Sequence, residues 1–517
     1  MPLRDERVLR YVNAFCPACH RESPGRALAD VPRLSGYLAE RAGRVWLVRG
    51  CPAHGRISTL YDESAEIMGY LEQWTAPTKR HTPDTAGNFA PVPGGYLQGL
   101  GEMQTQHTCI LLADITDSCN LRCPTCFADS SPDLHGVVAI ADVLANVDQR
   151  LARENGRLDV LMLSGGEPTL HPEFVELLDA LAARDIVRIL VNTNGIRIAR
   201  DDALVDALRR LADRVEVYLQ FDGFSERAHR THRAADLRTI KARAVDRLSS
   251  AGVFTTLVMT VSLGVNDTEI GDVVRYALDT PYVGGVSIQP QFASGRSAEL
   301  DPADRLTHTG VLARLGPQTG GAVTWRDLTA LPCSHPHCCS VGYLMRTDSG
   351  EWRSMVSMIG ADRLKQHLGL VSNRIADREV PAELRRAVRE SLLGLMSEQS
   401  SLSHPSVGEL FRTVCESCDL GLSALLKVAA ASLPGRRAAL RRMLGERVVR
   451  VTVKPFMDID TMLEERLLQC CVHVGTRSDT QDQCAPFCAV QAWPELSRQR
   501  LSTSAVRRPI PVEVTAR

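Results

Sequence analysis

Between residues 107 and about 290, short β-branched or apolar runs alternate with longer amphipathic stretches. The runs Ile110–Ile115, Val160–Leu163, Val187–Val191, Val215–Leu219, Phe254–Thr260 and Val286–Gln289 read as strands. Between them, near 140–155, 173–184, 201–211, 238–251 and 268–278, apolar residues recur at three- and four-residue spacing, which predicts helices. Six strands separated by five helices make a parallel βα array, and right-handed crossovers curl such an array into an open or partial (β/α)6 barrel. The fold class is therefore α/β, with chemistry expected on the loops that follow the strands.

The texture changes on both sides of this array. Residues 1–75 hold two short Cys-containing turns around the apolar run Val45-Trp46-Leu47-Val48 and read as a small metal-knuckle domain. Residues 76–106 are too rich in Pro and Gly for a regular element and read as a linker. The barrel is assigned to 107–330. Residues 331–517, with helical pattern around 381–397 and 420–445, read as a separate α-rich domain bearing many cysteines.

At 517 residues the chain is long enough for more than one folded unit. Apolar residues at 44% and charged residues at 23% argue against extended disorder. Lys+Arg 60 against Asp+Glu 61 leaves a net charge of −1, so there is no global basic field and a nucleic-acid partner is not expected. Sixteen Cys change the picture more. They fall in short spacings, a pattern of metal ligation more than of a disulfide framework. Met1–Arg10 is charged and lacks the apolar core of a secretory signal, so reduced thiols and a cytoplasmic location are expected. No apolar run reaches the ~18 residues that span a bilayer.

Directly after the first strand comes Cys119-Asn120-Leu121-Arg122-Cys123-Pro124-Thr125-Cys126-Phe127. Three thiolates so spaced can hold three irons of a 4Fe-4S cube and leave the fourth iron open to an external ligand. A zinc knuckle is the competing reading, but structural zinc is normally closed by four ligands and only three are local. This loop, in this place, resembles the CxxxCxxC signature of the radical S-adenosylmethionine (radical SAM) superfamily. The remaining strand ends agree in order. Ser164-Gly165-Gly166-Glu167-Pro168 follows strand two and resembles the superfamily's GGEP segment. Asn192-Thr193-Asn194-Gly195 and Gln220-Phe221-Asp222-Gly223 follow strands three and four, and Gln289-Pro290-Gln291 follows strand six.

The resemblance implies that Cys119, Cys123 and Cys126 ligate the SAM-binding cluster. It further implies that Gly165, Gly166, Glu167 and Pro168 receive the SAM methionine, and that Asn192, Asn194, Asp222 and Gln289 face ribose or substrate. The reduced cluster would cleave SAM to a 5′-deoxyadenosyl radical that removes hydrogen from an sp3 carbon. A one-electron donor such as flavodoxin or ferredoxin is an implied partner. Turn and cap roles compete at Asn194-Gly195 and Asp222.

In the first 75 residues, Cys16-Pro-Ala-Cys19 and Cys51-Pro-Ala-His54 can close a tetrahedral site for zinc or a single iron. Cys109, just before the barrel, is an alternative to His54 that would give a rubredoxin-like all-sulfur site, or else a core thiol. In the last third, Cys333, Cys338, Cys339, Cys415, Cys418, Cys470, Cys471, Cys484 and Cys488 suffice for two auxiliary 4Fe-4S clusters with one thiol spare. Cys339 is the candidate spare. His335, His337 and His473 lie among them.

The CPxC and CPxHG head, the CNLRCPTCFA loop, and the Lys454-Pro455-Phe456-Met457-Asp458, Cys470-Cys471-Val472-His473 and Pro486-Phe487-Cys488-Ala489 tail resemble radical SAM enzymes of the tetraether lipid synthase type. That likeness implies carbon–carbon coupling of lipid acyl or alkyl chains, with methylation of a dihydropterin-like small molecule as the alternative. Residues 96–101 carry no Cys where that type has a further pair. An apolar stretch followed by Arg436, Arg437, Arg441 and Arg442 suits peripheral contact with an anionic membrane, or an ordinary core face. Peptide modification and a non-catalytic electron carrier are the remaining readings. A long apolar tunnel at the barrel mouth would favour a lipid; a compact polar cavity would favour a pterin.

Overall fold

The structure is a computed structural model that describes residues 6–26, 28–74, 108–154, 156–331, 334–366, 437–476 and 483–493. The expected helix at 381–397 and most of that at 420–445 lie outside these residues, as does the whole of the 76–106 stretch.

The N-terminal part is an antiparallel sheet in sequence order, β1 (Arg7–Ala14), β2 (Leu34–Arg41), β3 (Arg44–Cys51) and β4 (Gly55–Asp62). Between β1 and β2 runs the short helix α1 (Pro17–Glu22), and after β4 comes α2 (Ala65–Glu72). Val12, Ala14, Leu38, Val45, Leu47, Tyr61 and Met68 form its small core. So few apolar side chains cannot by themselves offset the entropy of ordering the chain, and a metal suits such a domain.

The six predicted strands are present and parallel: β5 (Ile110–Asp114), β6 (Leu158–Ser164), β7 (Ile186–Thr193), β8 (Val215–Gln220), β9 (Thr255–Val261) and β10 (Val283–Pro290). The expected helices between them are α3 (Ile140–Arg153), α4 (Phe174–Ala182), α5 (Asp202–Arg210), α7 (Arg238–Ser250) and α8 (Ile270–Asp279). One helix escaped the pattern: α6 (Glu226–Arg233) is polar nearly throughout, so no apolar stripe announces it. A further helix, α9 (His308–Thr319), follows the barrel.

Alternation along the strands sorts two cores. Leu111, Leu161, Leu163, Ile189, Val191, Val217, Leu219 and Leu257 face the helices. Ile110, Leu112, Val160, Met162, Leu190, Tyr218 and Val258 face inward, where Met457, Ile459, Met462, Phe487 and Trp493 cover them.

That cover shows how the C-terminal stretch is used, which periodicity did not disclose. After β11 (Thr329–Ala330), β12 (Ser340–Arg346) and β13 (Trp352–Ser354), and the helix α10 (Arg437–Arg447), β14 (Val448–Val453) pairs parallel with β10. The chain then crosses the barrel, passes α11 (Glu464–Leu468), and places β15 (Val472–Thr476) parallel with β5 at the opposite edge. β16 (Gln483–Pro486) and α12 (Phe487–Ala492) complete it. Both exposed barrel edges are thereby paired, in a twelve-stranded sheet. The N-terminal sheet is anchored to the same crossing segment: Ala14 bridges Leu463, and the buried Arg49 donates to the Asp460 carbonyl at 3.0 Å.

Candidate active site and metal centres

The three-cysteine loop leaves the C-terminal end of β5 and is fastened from two sides. On one side is the turn after β6. There the Gly166 N–H donates to the Thr116 carbonyl at 2.7 Å and the Glu167 N–H to the Ser118 carbonyl at 2.8 Å. A Cβ on Gly165 would stand 2.2 Å from the Thr116 oxygen, and one on Gly166 2.1 Å from that of Ser118. Both positions therefore require glycine for close backbone approach. On the other side, Arg296 after β10 donates from Nε to the Cys123 carbonyl at 2.7 Å and from Nη2 to the Ser130 carbonyl at 2.9 Å. Nothing in the local sequence marked Arg296 as a strap on a loop some 170 residues earlier.

Cys119, Cys123 and Cys126 line one cavity, with Gly165, Gly166, Glu167, Asn192, Asn194, Gln220, Arg233 and Gln289 on its walls and Phe127, Phe292 and Phe456 at one side. Pro168 and Asp222 are not among its lining residues: Pro168 is buried at the start of a short 3-10 turn, and Asp222 stands behind Arg233. The Glu167 carboxylate accepts from the hydroxyls of Thr169 and Thr193, both at 2.6 Å, and from the Asn194 N–H at 2.7 Å. Glu167 thus ties the ends of β6 and β7 together. Gln220 Nε2 donates to Asn192 Oδ1 at 2.7 Å, and Asn194 Nδ2 to Asn120 Oδ1 at 2.7 Å. Gln289 Nε2 donates to the Tyr218 hydroxyl at 2.9 Å.

Arg233 is a cavity residue that sequence reading missed. The polar helix α6 places it inside the cavity, where Nε and Nη2 meet Asp222 at 2.6 and 2.7 Å and Nη2 also meets Gln220 Oε1 at 2.8 Å. Burial pushes the Asp222 carboxyl up, and the paired guanidinium more than reverses this, holding it well below the usual carboxylate range. Behind the wall, the buried Lys241 donates from Nζ to the Asn194 carbonyl at 2.5 Å. Burial and then Arg233 lower its ammonium to about 8.

The donor set fits an iron–sulfur cube. Burial, then Glu167 and the sister cysteines, push the Cys119 thiol up, and burial does the same to Cys123. Metal coordination is what would hold these sulfurs as thiolates. They also stand wider apart than ligands of one ion: among the described residues, only the N-terminal group gathers its ligand atoms within 4.8 Å.

That group is Cys16, Cys19, Cys51 and His54. Cys16 caps α1, its Sγ accepting the Cys19 N–H at 3.4 Å, and Pro17 opens the helix. The β3–β4 turn brings Cys51 and His54 opposite. His54 Nδ1 lies 3.6, 3.3 and 3.5 Å from the sulfurs of Cys16, Cys19 and Cys51, close to the ~3.8 Å edge of a tetrahedron with 2.3 Å metal–sulfur bonds. Glu22 meets His54 Nε2 at 2.9 Å, which leaves Nδ1 for a metal. Cys109 is not in this group. It heads β5 in the inner core, with its N–H on the Cys471 carbonyl at 2.9 Å, so His54 completes the four.

Of the C-terminal thiols, Cys338, Cys339, Cys470, Cys471 and Cys488 are described; Cys333, Cys415 and Cys418 and the side chain of Cys484 lie outside the described residues. His335 and His337 are buried and face protein groups: His337 Nδ1 meets the Tyr61 hydroxyl at 2.9 Å and its Nε2 meets Glu72 at 3.0 Å, while His335 Nε2 meets Arg10 at 2.9 Å. His473 Nδ1 meets the Thr108 hydroxyl at 2.8 Å. No helix among the described residues is long and apolar enough to cross a membrane.

The chain is similar in part to known proteins. Residues 114–277 match the radical SAM superfamily, and residues 8–63 match the HMPTM N-terminal zinc ribbon domain. The 7,8-dihydro-6-hydroxymethylpterin dimethyltransferase of Methanocaldococcus jannaschii is 24% identical over 501 residues, 92% of each chain. A mycofactocin maturase of Mycobacterium ulcerans is 28% identical over 187 residues, 36% of this chain and 48% of the relative. Among solved structures, Streptococcus suis SuiB bound to precursor peptide SuiA overlaps 41% of this chain and 46% of its own at 16% identity and a TM-score of 0.35. A radical SAM methyltransferase from Sphaerobacter thermophilus overlaps 56% and 68% at 15% identity and a TM-score of 0.27.

Proposed function

Starting from the premise that this chain is a radical SAM enzyme with an N-terminal zinc ribbon, we propose that it transfers methyl groups to a carbon of a small dihydropterin-like heterocycle. One observation carries the choice: the likeness to a dihydropterin dimethyltransferase runs through 92% of both chains, ribbon and C-terminal segment included. The cavity supports it. Asn192, Gln220, Gln289, Gln291 and Arg233 offer the donors and acceptors a polar heterocycle would use. The lipid coupling that the tail motifs suggested calls for a long apolar tunnel, whereas the described cavity combines these polar groups with Phe127, Phe292 and Phe456. The apolar–Arg stretch read as a membrane contact falls largely outside the described residues.

When bound, the 4Fe-4S cluster and SAM supply one-electron cleavage to a 5′-deoxyadenosyl radical. Cys119, Cys123 and Cys126 would hold the cluster, with Arg296 and the Gly165-Gly166 turn keeping their loop in place. Glu167 and Asn194 would receive SAM's amino acid end and Gln289 the substrate side. Phe127, Phe292 and Phe456 would exclude water. Auxiliary clusters in the C-terminal segment and an external one-electron donor of the flavodoxin or ferredoxin kind complete the reading.

The test is anaerobic reconstitution with iron, sulfide, SAM, a reductant and a dihydropterin. Formation of 5′-deoxyadenosine together with a pterin heavier by one or two methyl groups is expected. Robust 5′-deoxyadenosine with an unchanged pterin, and altered lipids in a strain lacking the gene, would return the lipid reading to first place.

A further inference from the structure

A second, smaller cavity adjoins the cavity of the three barrel cysteines, about 420 Å³ against about 880 Å³. Pro290, Gln291, Phe292 and Phe456 line both, so the two share a wall. In that wall the rings of Phe292 and Phe456 have centroids 5.4 Å apart. Distant parts of the chain line the second cavity: Tyr61 at the end of β4, Arg305 and His308 at the approach to α9, and Arg466 on α11.

Arg305 decides what this cavity can hold. Its side chain is only 6% exposed, and its Nη1 alone meets Asp458, at 2.8 Å from Oδ1 and 2.7 Å from Oδ2. Asp458 in turn accepts from the Ala293 N–H at 3.0 Å and the Thr461 hydroxyl at 3.2 Å, so the guanidinium is held from a fixed point. Its Nε and Nη2 are buried, and among the described residues neither has a hydrogen-bond partner. These two nitrogens form one edge of the planar guanidinium, the fork that matches a carboxylate or phosphate with two parallel N–H···O bonds. Buried N–H groups are costly to leave unpaired, and an open edge of a residue that lines a cavity calls for an acceptor there.

The neighbouring groups suit such an acceptor. His308 Nε2 meets the Ser340 hydroxyl at 2.6 Å, and its buried Nδ1 has no partner among the described residues. Burial and then Arg466 lower this imidazole to about 3, so it is neutral, and with Nε2 accepting from Ser340 its Nδ1 carries the proton and is a further donor. Arg466 adds positive charge, although each of its nitrogens is engaged, with Cys338 Sγ, the Tyr61 hydroxyl and the Pro455 carbonyl. Asp62 also lines the cavity, but its Oδ1 already accepts from the Thr309 N–H and hydroxyl and from the Glu63 N–H, at 2.8, 2.5 and 3.1 Å.

We propose that this cavity is an oxyanion site, in which the Nε–Nη2 edge of Arg305, with His308 Nδ1 as a further donor, binds a carboxylate or phosphate group. The group is either a free ion or a substituent of the substrate. In the second case the shared wall of Phe292 and Phe456 lets one molecule be held by its anionic end here while its reacting carbon lies in the cysteine cavity. The inference goes beyond the methylation reading, since it holds for any substrate that carries such a group.

The test is calorimetric titration of the full-length, anaerobically reconstituted protein with inorganic phosphate in a phosphate-free buffer, with iron and zinc measured in every sample. Saturable binding is expected. Arg305→Lys keeps a charge for Asp458 but loses the fork, and should weaken binding about tenfold or more; Arg305→Gln should abolish it. Two further titrations separate the sources, one with a dihydropterin bearing a neutral hydroxymethyl group and one with its phosphate ester. For a substituent of the substrate, the ester binds about tenfold or more tighter than the neutral pterin, free phosphate competes with it, and Arg305→Lys removes the difference. For a free ion, phosphate binds alike with and without the neutral pterin, and the ester gains nothing over it. Wild-type protein that shows neither saturable phosphate binding nor preference for the ester would overturn the proposal, and this arm needs no variant to fold. Equal binding by wild type and Arg305→Lys at unchanged iron and zinc would overturn it too. Should Arg305→Gln fail to load its metals, Arg305→Lys decides by the same criterion. All of these are binding measurements without turnover, so failure here and failure of the methylation reading are distinguishable.

Discussion

The zinc ribbon and the barrel loop both present cysteines to a metal, yet they are built in opposite ways. In the ribbon, the capped start of α1 and the β3–β4 turn bring Cys16, Cys19, Cys51 and His54 within 4.8 Å, and a local carboxylate, Glu22, orients the imidazole. In the barrel, Cys119, Cys123 and Cys126 lie on one loop, but the loop is held by Gly165-Gly166 from the next strand and by Arg296 from the last. The first site is a local construction that a small ion can close. The second leaves room for a cube and a ligand, and it depends on the curled sheet bringing the loop after β10 back to the loop after β5.

Four variants test that difference, and the most drastic is Cys123→Ala. It should give no detectable 5′-deoxyadenosine while zinc content stays at the wild-type level; loss of zinc as well would mean that the two sites are not independent. Next in size is Gly166→Ala, whose added carbon meets the Ser118 carbonyl at 2.1 Å. The loop must move, so reconstituted iron should fall while zinc is retained, as metal analysis would show. Asp222→Asn leaves Arg233 without its charge partner, and breaking a buried pair costs about 3–5 kcal/mol. Asn tolerates the left-handed backbone at this position (φ 68°), so urea unfolding of this variant reports the pair and not the turn. A cost near zero would show that Arg233 finds another partner. The smallest effect is expected from Glu22→Gln, which weakens the orientation of His54. Zinc affinity should drop about 10–100-fold in a chelator competition, with barrel iron unchanged.

The contrast also explains what could be read from the chain. The Cys16–Cys19 and Cys51–His54 knuckles were legible because their ligands are three residues apart and the turns are short. The six strands were legible as short apolar runs, buried on both faces, and the five helices between them by the three- and four-residue spacing of their apolar residues. Helix α6 was not, since Glu226–Arg233 has almost no apolar face, and with it went Arg233. Arg296 was equally hidden: a lone arginine in a loop has no period, and its target is reached only when β10 comes round the barrel. Cys109 stood as an alternative to His54, and nearness in sequence to the barrel said nothing of its distance from the ribbon.

Local chemistry, then, was determined by sequence: which segments are strands, where thiols cluster, and which loop can present three sulfurs with one iron open. Tertiary structure decided the partnerships. It made the C-terminal stretch supply strands to both edges of the barrel sheet, with β14 beside β10 and β15 beside β5. It also set the buried Arg466 against the Cys338 sulfur at 3.3 Å, from more than a hundred residues away. The physical reason is that spacing along the chain constrains contacts only over a turn or a strand pair. Edge pairing and the compensation of a buried charge are satisfied wherever the folded chain happens to provide a partner.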